Sequence, residues 1–386
     1  MRFHKPVHGP PGKEGAYFQE RFSSIHRRSR IEVTYSTPSW ESWFAALQQR
    51  EHRYDLIYIP GGWIPSLAES GLLADLSEMD AASVALWKGN YPDSVFSLGE
   101  YNGRQFGIPV YGAVWSFMYN ARLLEAAGYH QPPATWEQLR QCAFRLKELF
   151  PEIVPYGIND DSDGHFVDHG YIYLFAGGLA ELQERNGTLR FDNAWSQKGM
   201  SFIRELIEQG AANVPMNYPS SRILTEFFEG KAAMTVGPSD WVLLQREQFP
   251  SFPLGVSLMP HPFGGSPLSY ASFGFYCVSS HATNTEEIIP VLNELVTPTN
   301  LEEHARVIGM LPVHHGGGKY EADPELSVFC RQVQLSGTFP QVNFSFNEEL
   351  TREMLACLRL AKSPEDALLT ATMCANNKQP ASNKED

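Results

Sequence analysis

Five aromatic residues stand next to predicted strand ends, where loops of an α/β protein carry binding groups. They are Trp40, Trp63, Tyr111, Trp115 and Trp241. Flat rings stack on the C–H faces of a sugar, while short polar groups bond its hydroxyls. A tryptophan or tyrosine in such a place can equally be core packing. The spacing favours a platform for a small polar ligand.

Two polar candidates accompany these rings. His8 lies in the loop after a short first strand, and Asp160 lies in the run Asn159–Gly164. That run partly resembles a calcium loop, with oxygens at positions 1, 3 and 5 and glycine at position 6. Its twelfth position is Gly170, where a bidentate glutamate is required, so an EF-hand is excluded. Asp160 is interpreted as a partner for ligand hydroxyls, with a solvated acidic loop as the alternative.

Metal and catalytic motifs are weak. His165, Asp168 and His169 invite a metal interpretation, because the two histidines would share one helical face, but no compelling third ligand joins those two, so neither a metal nor a cofactor is predicted. Nucleophile-elbow, dinucleotide-binding, Walker A and His-Glu-x-x-His patterns do not occur in the sequence. A glycosidase needs two facing carboxylates, which a sequence does not exclude. The chain is predicted not to be an enzyme.

The aromatic and polar candidates must be positioned by the strands and helices that alternate along the sequence. Strand-like segments at Ile31–Tyr35 and Tyr54–Ile59 alternate with helical spacing of apolar residues, which predicts a mostly parallel sheet flanked by helices. Two strands separated by a short linker are predicted at Gly107–Tyr111 and Trp115–Tyr119. Thr135 is predicted to cap a helix that runs to about Phe150.

Composition narrows the function classes. The 386 residues exceed the usual size of one domain, and the net charge of −14 disfavours a nucleic-acid surface. The sequence contains no run long and apolar enough for a membrane helix, and its N-terminus lacks the apolar core of a signal peptide. The five cysteines are odd in number and widely spaced, which suits a reducing compartment.

A series of collinear motifs resembles the family 1 extracellular solute-binding proteins, the maltose-binding-protein-like components of ABC importers. The likeness runs from about residue 15 to about residue 315. Each motif is weak alone, but their order is specific. The motifs are Ala68–Leu76, Gly107–Tyr111, Trp115–Asn120, Leu123–Gly128, Pro132–Leu139, Phe227–Met234, Gly237–Trp241 and Ile308–Pro312.

The resemblance implies a periplasmic-binding-protein-like α/β fold of two lobes with a ligand cleft between them. Residues 1–109 and about 270–312 would form one lobe, and about 114–265 with about 317–375 the other. Segments 110–113 and 258–272 would be hinge crossovers, and 376–386 a disordered tail. Gly178 and Gly274 complete the predicted ligand-binding set.

The resemblance also implies partners: a small polar ligand, above all a sugar or oligosaccharide, and ABC permease subunits. No nucleic acid and no membrane span are expected, and the protein is expected to be a monomer. The family implies an extracytoplasmic location, whereas the absent signal peptide and the thiols leave a cytoplasmic ligand sensor of the same fold as an alternative. A carbohydrate-active hydrolase is a more distant one.

Overall fold

A computed structural model gives the fold. It describes residues 1–6, 8, 12–25, 32–36, 40–159, 170, 172–174, 178–182, 188–216, 222–283, 285–315, 320, 322–336 and 344–377. By contacts the chain divides into two compact units. Unit 1 comprises Met1–Ala113, Ser239–Leu244 and Ser272–Ala322, and unit 2 comprises Val114–Pro238, Gln245–Ala271 and Asp323–Asp386.

Strands and helices alternate along much of the chain. The strands are β1 Arg2–Pro6, β2 Glu32–Ser36, β3 Leu56–Pro60, β4 Glu100–Tyr101, β5 Arg104–Gln105, β6 Gly107–Asn120, β7 Val154–Gly157, β8 Ala232–Pro238, β9 Leu254–Ser257 and β10 Ala271–Val278. The helices are α1 Lys13–Ile25, α2 Trp40–Gln48, α3 Ile64–Glu69, α4 Leu76–Lys88, α5 Asp93–Phe96, α6 Ala121–Ala126, α7 Trp136–Leu149, α8 Leu179–Leu182, α9 Ala194–Glu208, α10 Arg222–Phe228, α11 Asp240–Gln248, α12 Thr285–Leu295, α13 Pro298–Ile308, α14 Leu326–Leu335, α15 Phe344–Leu358 and α16 Pro364–Asn377.

Unit 1 is built on strands in the order β2-β1-β3-β10-β6. β1 pairs in parallel with both β2 and β3, and β10 joins β3 antiparallel. Phe3, Leu56 and Ile108 are fully buried in its core, which helices α12 and α13 also line. Three parallel strands therefore end at one edge of the unit 1 sheet, where the following loops meet.

Unit 2 is built around β8. The carboxyl half of β6 pairs antiparallel with β8 and with β9, and β7 pairs with β8 in parallel. The Asn120 side chain accepts a hydrogen bond from the Leu123 amide and caps α6. The Thr135 hydroxyl accepts from the Gln138 amide and begins α7, as predicted. The α/β class with a mostly parallel sheet flanked by helices is confirmed.

The prediction of two strands around Gly112 is wrong, because β6 runs without interruption from Gly107 to Asn120. The Gly112 amide donates to the Leu311 carbonyl at 2.9 Å, and the Leu311 amide donates back at 2.8 Å. These two bonds satisfy the backbone of the expected linker and hold it extended. The boundary between the units nevertheless falls within β6, after Ala113.

The contact-based units differ from the predicted lobes at Ser239–Leu244, which groups with unit 1. Ser239 Oγ donates to the Gly309 carbonyl at 2.7 Å, which ties this segment to the end of α13. Of the expected tail 376–386, the first two residues are helical within α16, and the rest lies outside the described residues.

Among the described helices, none has the length and apolar character needed to cross a membrane.

Candidate functional site

The loops after β1, β2 and β3 bring aromatic rings together in unit 1. His8 follows β1, Trp40 begins α2 after β2, and Trp63 follows β3. Tyr58 of β3 and Tyr111 of β6 stand beside them. We call these five residues the aromatic cluster.

Ring contacts link all members of the aromatic cluster. The His8 ring centroid lies 5.2 Å from that of Tyr58, 5.5 Å from that of Tyr111 and 6.1 Å from that of Trp40. Trp40 meets Trp63 edge to face at 5.7 Å, and Tyr58 stacks on Tyr111 at 5.4 Å. Tyr58, Trp63 and Tyr111 are buried, whereas His8 and Trp40 are partly exposed. His8 and Trp40 are thus the members within reach of a solute.

A buried set of polar groups, which we call the polar network, lies against the aromatic cluster. Lys5 Nζ lies 2.8 Å from Glu14 Oε1 and donates to the Tyr111 hydroxyl at 2.8 Å. Glu14 Oε1 also contacts His304 Nε2 at 2.8 Å, and Glu14 Oε2 accepts from the His8 amide at 3.0 Å. The network comprises Lys5, His8, Glu14, Tyr111 and His304, and it holds His8 through its amide and Nδ1.

Burial sets the charges of the polar network. It lowers the pKa of Lys5 to about 8, against the opposing effect of Glu14. Burial would raise the pKa of Glu14, but the Lys5 charge and the His304 hydrogen bond bring it well below its usual range. Burial, aided by the Lys5 charge, lowers the pKa of His8 to about 3. Near neutral pH the charged pair Lys5–Glu14 therefore lies next to the neutral imidazole of His8.

In unit 2, Trp115 contributes a buried indole N–H rather than a partly exposed ring. Its ring packs against Tyr270 with centroids 5.3 Å apart, and its carbonyl accepts from Ser269 Oγ at 2.6 Å. The indole N–H is buried and has no hydrogen-bond partner in the described part of the chain. Because a buried donor without a partner is costly, this N–H is available to bond an acceptor.

The remaining predicted site residues are members of neither the aromatic cluster nor the polar network. Trp241 is buried in α11 of unit 1, and Gly178 adopts a left-handed conformation (φ 90°) before α8. Gly274 lies opposite Pro60, where a Cβ would overlap the Tyr58 ring, so close packing explains this glycine. Asp160 and the triplet His165, Asp168 and His169 lie outside the described residues. Within the described ranges, no three His, Cys, Asp or Glu side chains form a metal-binding group.

The structure thus brings His8, Trp40, Trp63 and Tyr111 together, and their contact with a ligand stays a prediction. The sequence interpretation missed Lys5, Glu14, Tyr58 and His304. The one available signal was that Lys5 lies within strand β1, Arg2–Pro6, since a charge that a strand buries requires a buried partner. Nothing in the local sequence identifies that partner as Glu14.

Comparison with known proteins decides the family. The sequence profile of the bacterial extracellular solute-binding proteins matches residues 10–299. The chain belongs to this family. A binding protein of Brucella abortus is similar to this family member, with 22% identity over 367 residues, covering 92% of the present chain and 88% of the relative. The resemblance found in the sequence motifs is confirmed.

Solved structures show the same fold. Maltose-bound MalE3 of T. maritima superposes with a TM-score of 0.84 at 18% identity, covering 98% of this solute-binding protein and 99% of that chain. An ABC transporter solute-binding protein of Thermotoga lettingae bound with α-D-tagatose gives a TM-score of 0.82 at 18% identity, covering 97% and 98%. The periplasmic-binding-protein-like fold is therefore confirmed, and the family binds solutes rather than transforming them.

Proposed function

We propose that this solute-binding protein captures a sugar or oligosaccharide for an ABC importer and that it does so outside the cytoplasm. The observation that carries the proposal is the aromatic cluster at the carboxyl ends of three parallel strands, with Trp40 and His8 partly exposed. Such rings suit the C–H faces of a pyranose, and the His8 N–H group suits its oxygens. The sugars bound by MalE3 and by the Thermotoga lettingae protein support this ligand class.

A thermal-shift screen tests the ligand class. The panel contains maltose, maltotriose, α-D-tagatose and glucose, with amino acids and dipeptides as the comparison set. A sugar present at 100 times its dissociation constant is expected to stabilise the folded state by ~2.7 kcal/mol. If only the amino acids or dipeptides stabilise the protein, the proposed ligand class is wrong and the solute is not a sugar.

Closure of the two lobes on the solute, which the family resemblance implies, is part of the proposal. A solute that contacts both lobes only when they are closed shifts the equilibrium toward the closed form. The radius of gyration from small-angle scattering is expected to fall when a sugar from the panel saturates the protein. An unchanged radius at saturation argues against closure.

Trp40→Ala is expected to weaken sugar binding by about 30-fold, or about 2 kcal/mol, because it removes the partly exposed ring of the aromatic cluster. Fluorescence titration with the best sugar of the panel measures the change. Trp195→Ala is the matched control, since Trp195 is partly exposed on α9 of unit 2 and its ring lies under Lys198. Equal affinities of the two variants would remove Trp40 from the site.

A further inference from the structure

The hydrogen-bond geometry around Lys5 determines which nitrogen of His8 carries its proton. Four acceptors lie 2.8 Å from Lys5 Nζ: the Pro6 carbonyl, Glu14 Oε1, the Tyr111 hydroxyl and His8 Nδ1. An ammonium group has only three N–H bonds. The Tyr111 hydroxyl, which accepts from Lys5, can in turn donate to His8 Nδ1 at 3.0 Å. That arrangement satisfies all four acceptors.

The alternative tautomer, with the proton on His8 Nδ1, is disfavoured by the contacts of that nitrogen. A proton on Nδ1 would suit only the Pro6 carbonyl, 3.0 Å away, which Lys5 already serves. It would also face the Lys5 ammonium at 2.8 Å, and the Tyr111 hydroxyl would have to turn its proton from His8 Nδ1 to the Tyr58 hydroxyl, its other hydrogen-bond partner. His8 Nδ1 therefore accepts, and the proton resides on Nε2. Nε2 itself has no hydrogen-bond partner among the described residues and is not one of the buried polar atoms.

We infer that Lys5 and Tyr111 are positioning residues that hold His8 as the neutral Nε2–H tautomer, whose N–H donates to an oxygen of an uncharged, hydroxyl-rich solute. The solute half of this inference rests on the proposed function. Lys5 is fully buried and paired with Glu14, so neither charge of the pair is offered to a ligand. An anionic sugar would gain no cation in the aromatic cluster to offset the loss of its hydration.

The donor should persist over a wide pH range. The titratable groups that face His8 are Lys5, Glu14, Tyr58 and Tyr111, with His304 bonded to Glu14 behind them. Burial, reinforced by the Lys5 charge, lowers the pKa of His8 to about 3. Burial also raises the pKa of both tyrosines, so they stay protonated. Between pH 5 and 7 Lys5 stays charged, and the His8 imidazole keeps one proton and one orientation of its donor.

Nitrogen-15 NMR of the full chain, labelled at histidine and free of sugar, tests the tautomer directly. The His8 resonances are assigned by their loss in His8→Gln. We expect the Nε2–H pattern, unchanged from pH 5 to 7. Lys5→Met and Tyr111→Phe should each keep that pattern, because the other donor remains, whereas the double variant should switch to Nδ1–H bonded to Pro6. An Nδ1–H tautomer, or a titration near pH 6.5, in the wild-type protein would overturn the inference even if the double variant does not fold.

Calorimetry with maltose and maltose 1-phosphate tests the solute class. Maltose is expected to bind at least tenfold more tightly than its phosphate, and His8→Leu should lose about tenfold in maltose affinity while His8→Gln, which retains an N–H donor, loses less than threefold. Equal binding of the phosphate, or equal loss in both variants, contradicts the assignment. If neither maltose nor any other neutral sugar binds, the proposed function fails, whereas the tautomer is decided by NMR alone.

Discussion

Lys5→Met is expected to lower the free energy of unfolding by about 3–5 kcal/mol, the typical cost of removing one partner of a buried ion pair. Lys5 and Glu14 are both essentially inaccessible to solvent, and their charged atoms are 2.8 Å apart. Without Lys5, the hydrogen bonds that the Glu14 carboxylate keeps with described residues come from His304 and the His8 amide. Urea denaturation at pH 7.5, followed by circular dichroism, measures the loss.

Two further variants make this test specific. Lys231→Met removes a lysine whose ion pair with Glu229 spans 2.6 Å at an exposed site, so it should cost less than about 1 kcal/mol. Adding Glu14→Gln to Lys5→Met removes the uncompensated charge and should restore part of the stability. If Lys5→Met costs no more than Lys231→Met, the buried ion pair does not stabilise unit 1 as described.

Acid is expected to destabilise the protein well above the pH at which carboxylates protonate. Burial, aided by neighbouring His52, lowers the pKa of His4 to about 4, and burial lowers that of His8 to about 3. In the unfolded chain both side chains titrate near 6.5. Between pH 6.5 and about 4 the unfolded state therefore binds more protons than the folded state, and stability falls as the pH falls.

The expected size of the acid effect is about 4 kcal/mol between pH 7.5 and 5, because each histidine contributes about 1.4 kcal/mol per pH unit below 6.5. The lowered pKa of His304 acts in the same direction, whereas the lowered pKa of Glu14 destabilises the folded state only below about pH 4.5. Urea denaturation at several pH values measures the slope. His8→Gln should reduce it by about 1.4 kcal/mol per unit, whereas replacement of the exposed His130 serves as the control. A stability that does not change between pH 7.5 and 5 would show that His4 and His8 are not buried as neutral groups.

Local patterns in the sequence predicted most of the elements. The cap at Thr135 needs only one side chain and an amide three residues later, strand β2 needed only β-branched residues, and strand β3 needed only a short apolar run. The continuity of β6 could not be predicted, because the groups that hold Gly112 extended belong to Leu311, about two hundred positions away. Nor could the sequence show that Ser239–Leu244 follows Gly309 into unit 1.

The site was predictable to the extent that it depends on strand ends. That His8, Trp40 and Trp63 lie together could be predicted, because loops after neighbouring parallel strands meet at one edge. Lys5, Glu14 and His304 were missed because their interaction joins β1, α1 and α13, and His304 lies 290 residues from Glu14. Pairings of this kind are tertiary, so periodicity and local motifs carry no signal for them.

Isothermal titration calorimetry of the wild-type protein with maltose, maltotriose and α-D-tagatose, followed by analysis of the recovered sugar, tests sugar capture most directly. The prediction is saturable binding of at least one sugar at one site with a micromolar dissociation constant, or ~8 kcal/mol. The sugar should be recovered chemically unchanged. Absence of binding by all neutral sugars, or conversion of the sugar to a product, would contradict its capture by this solute-binding protein.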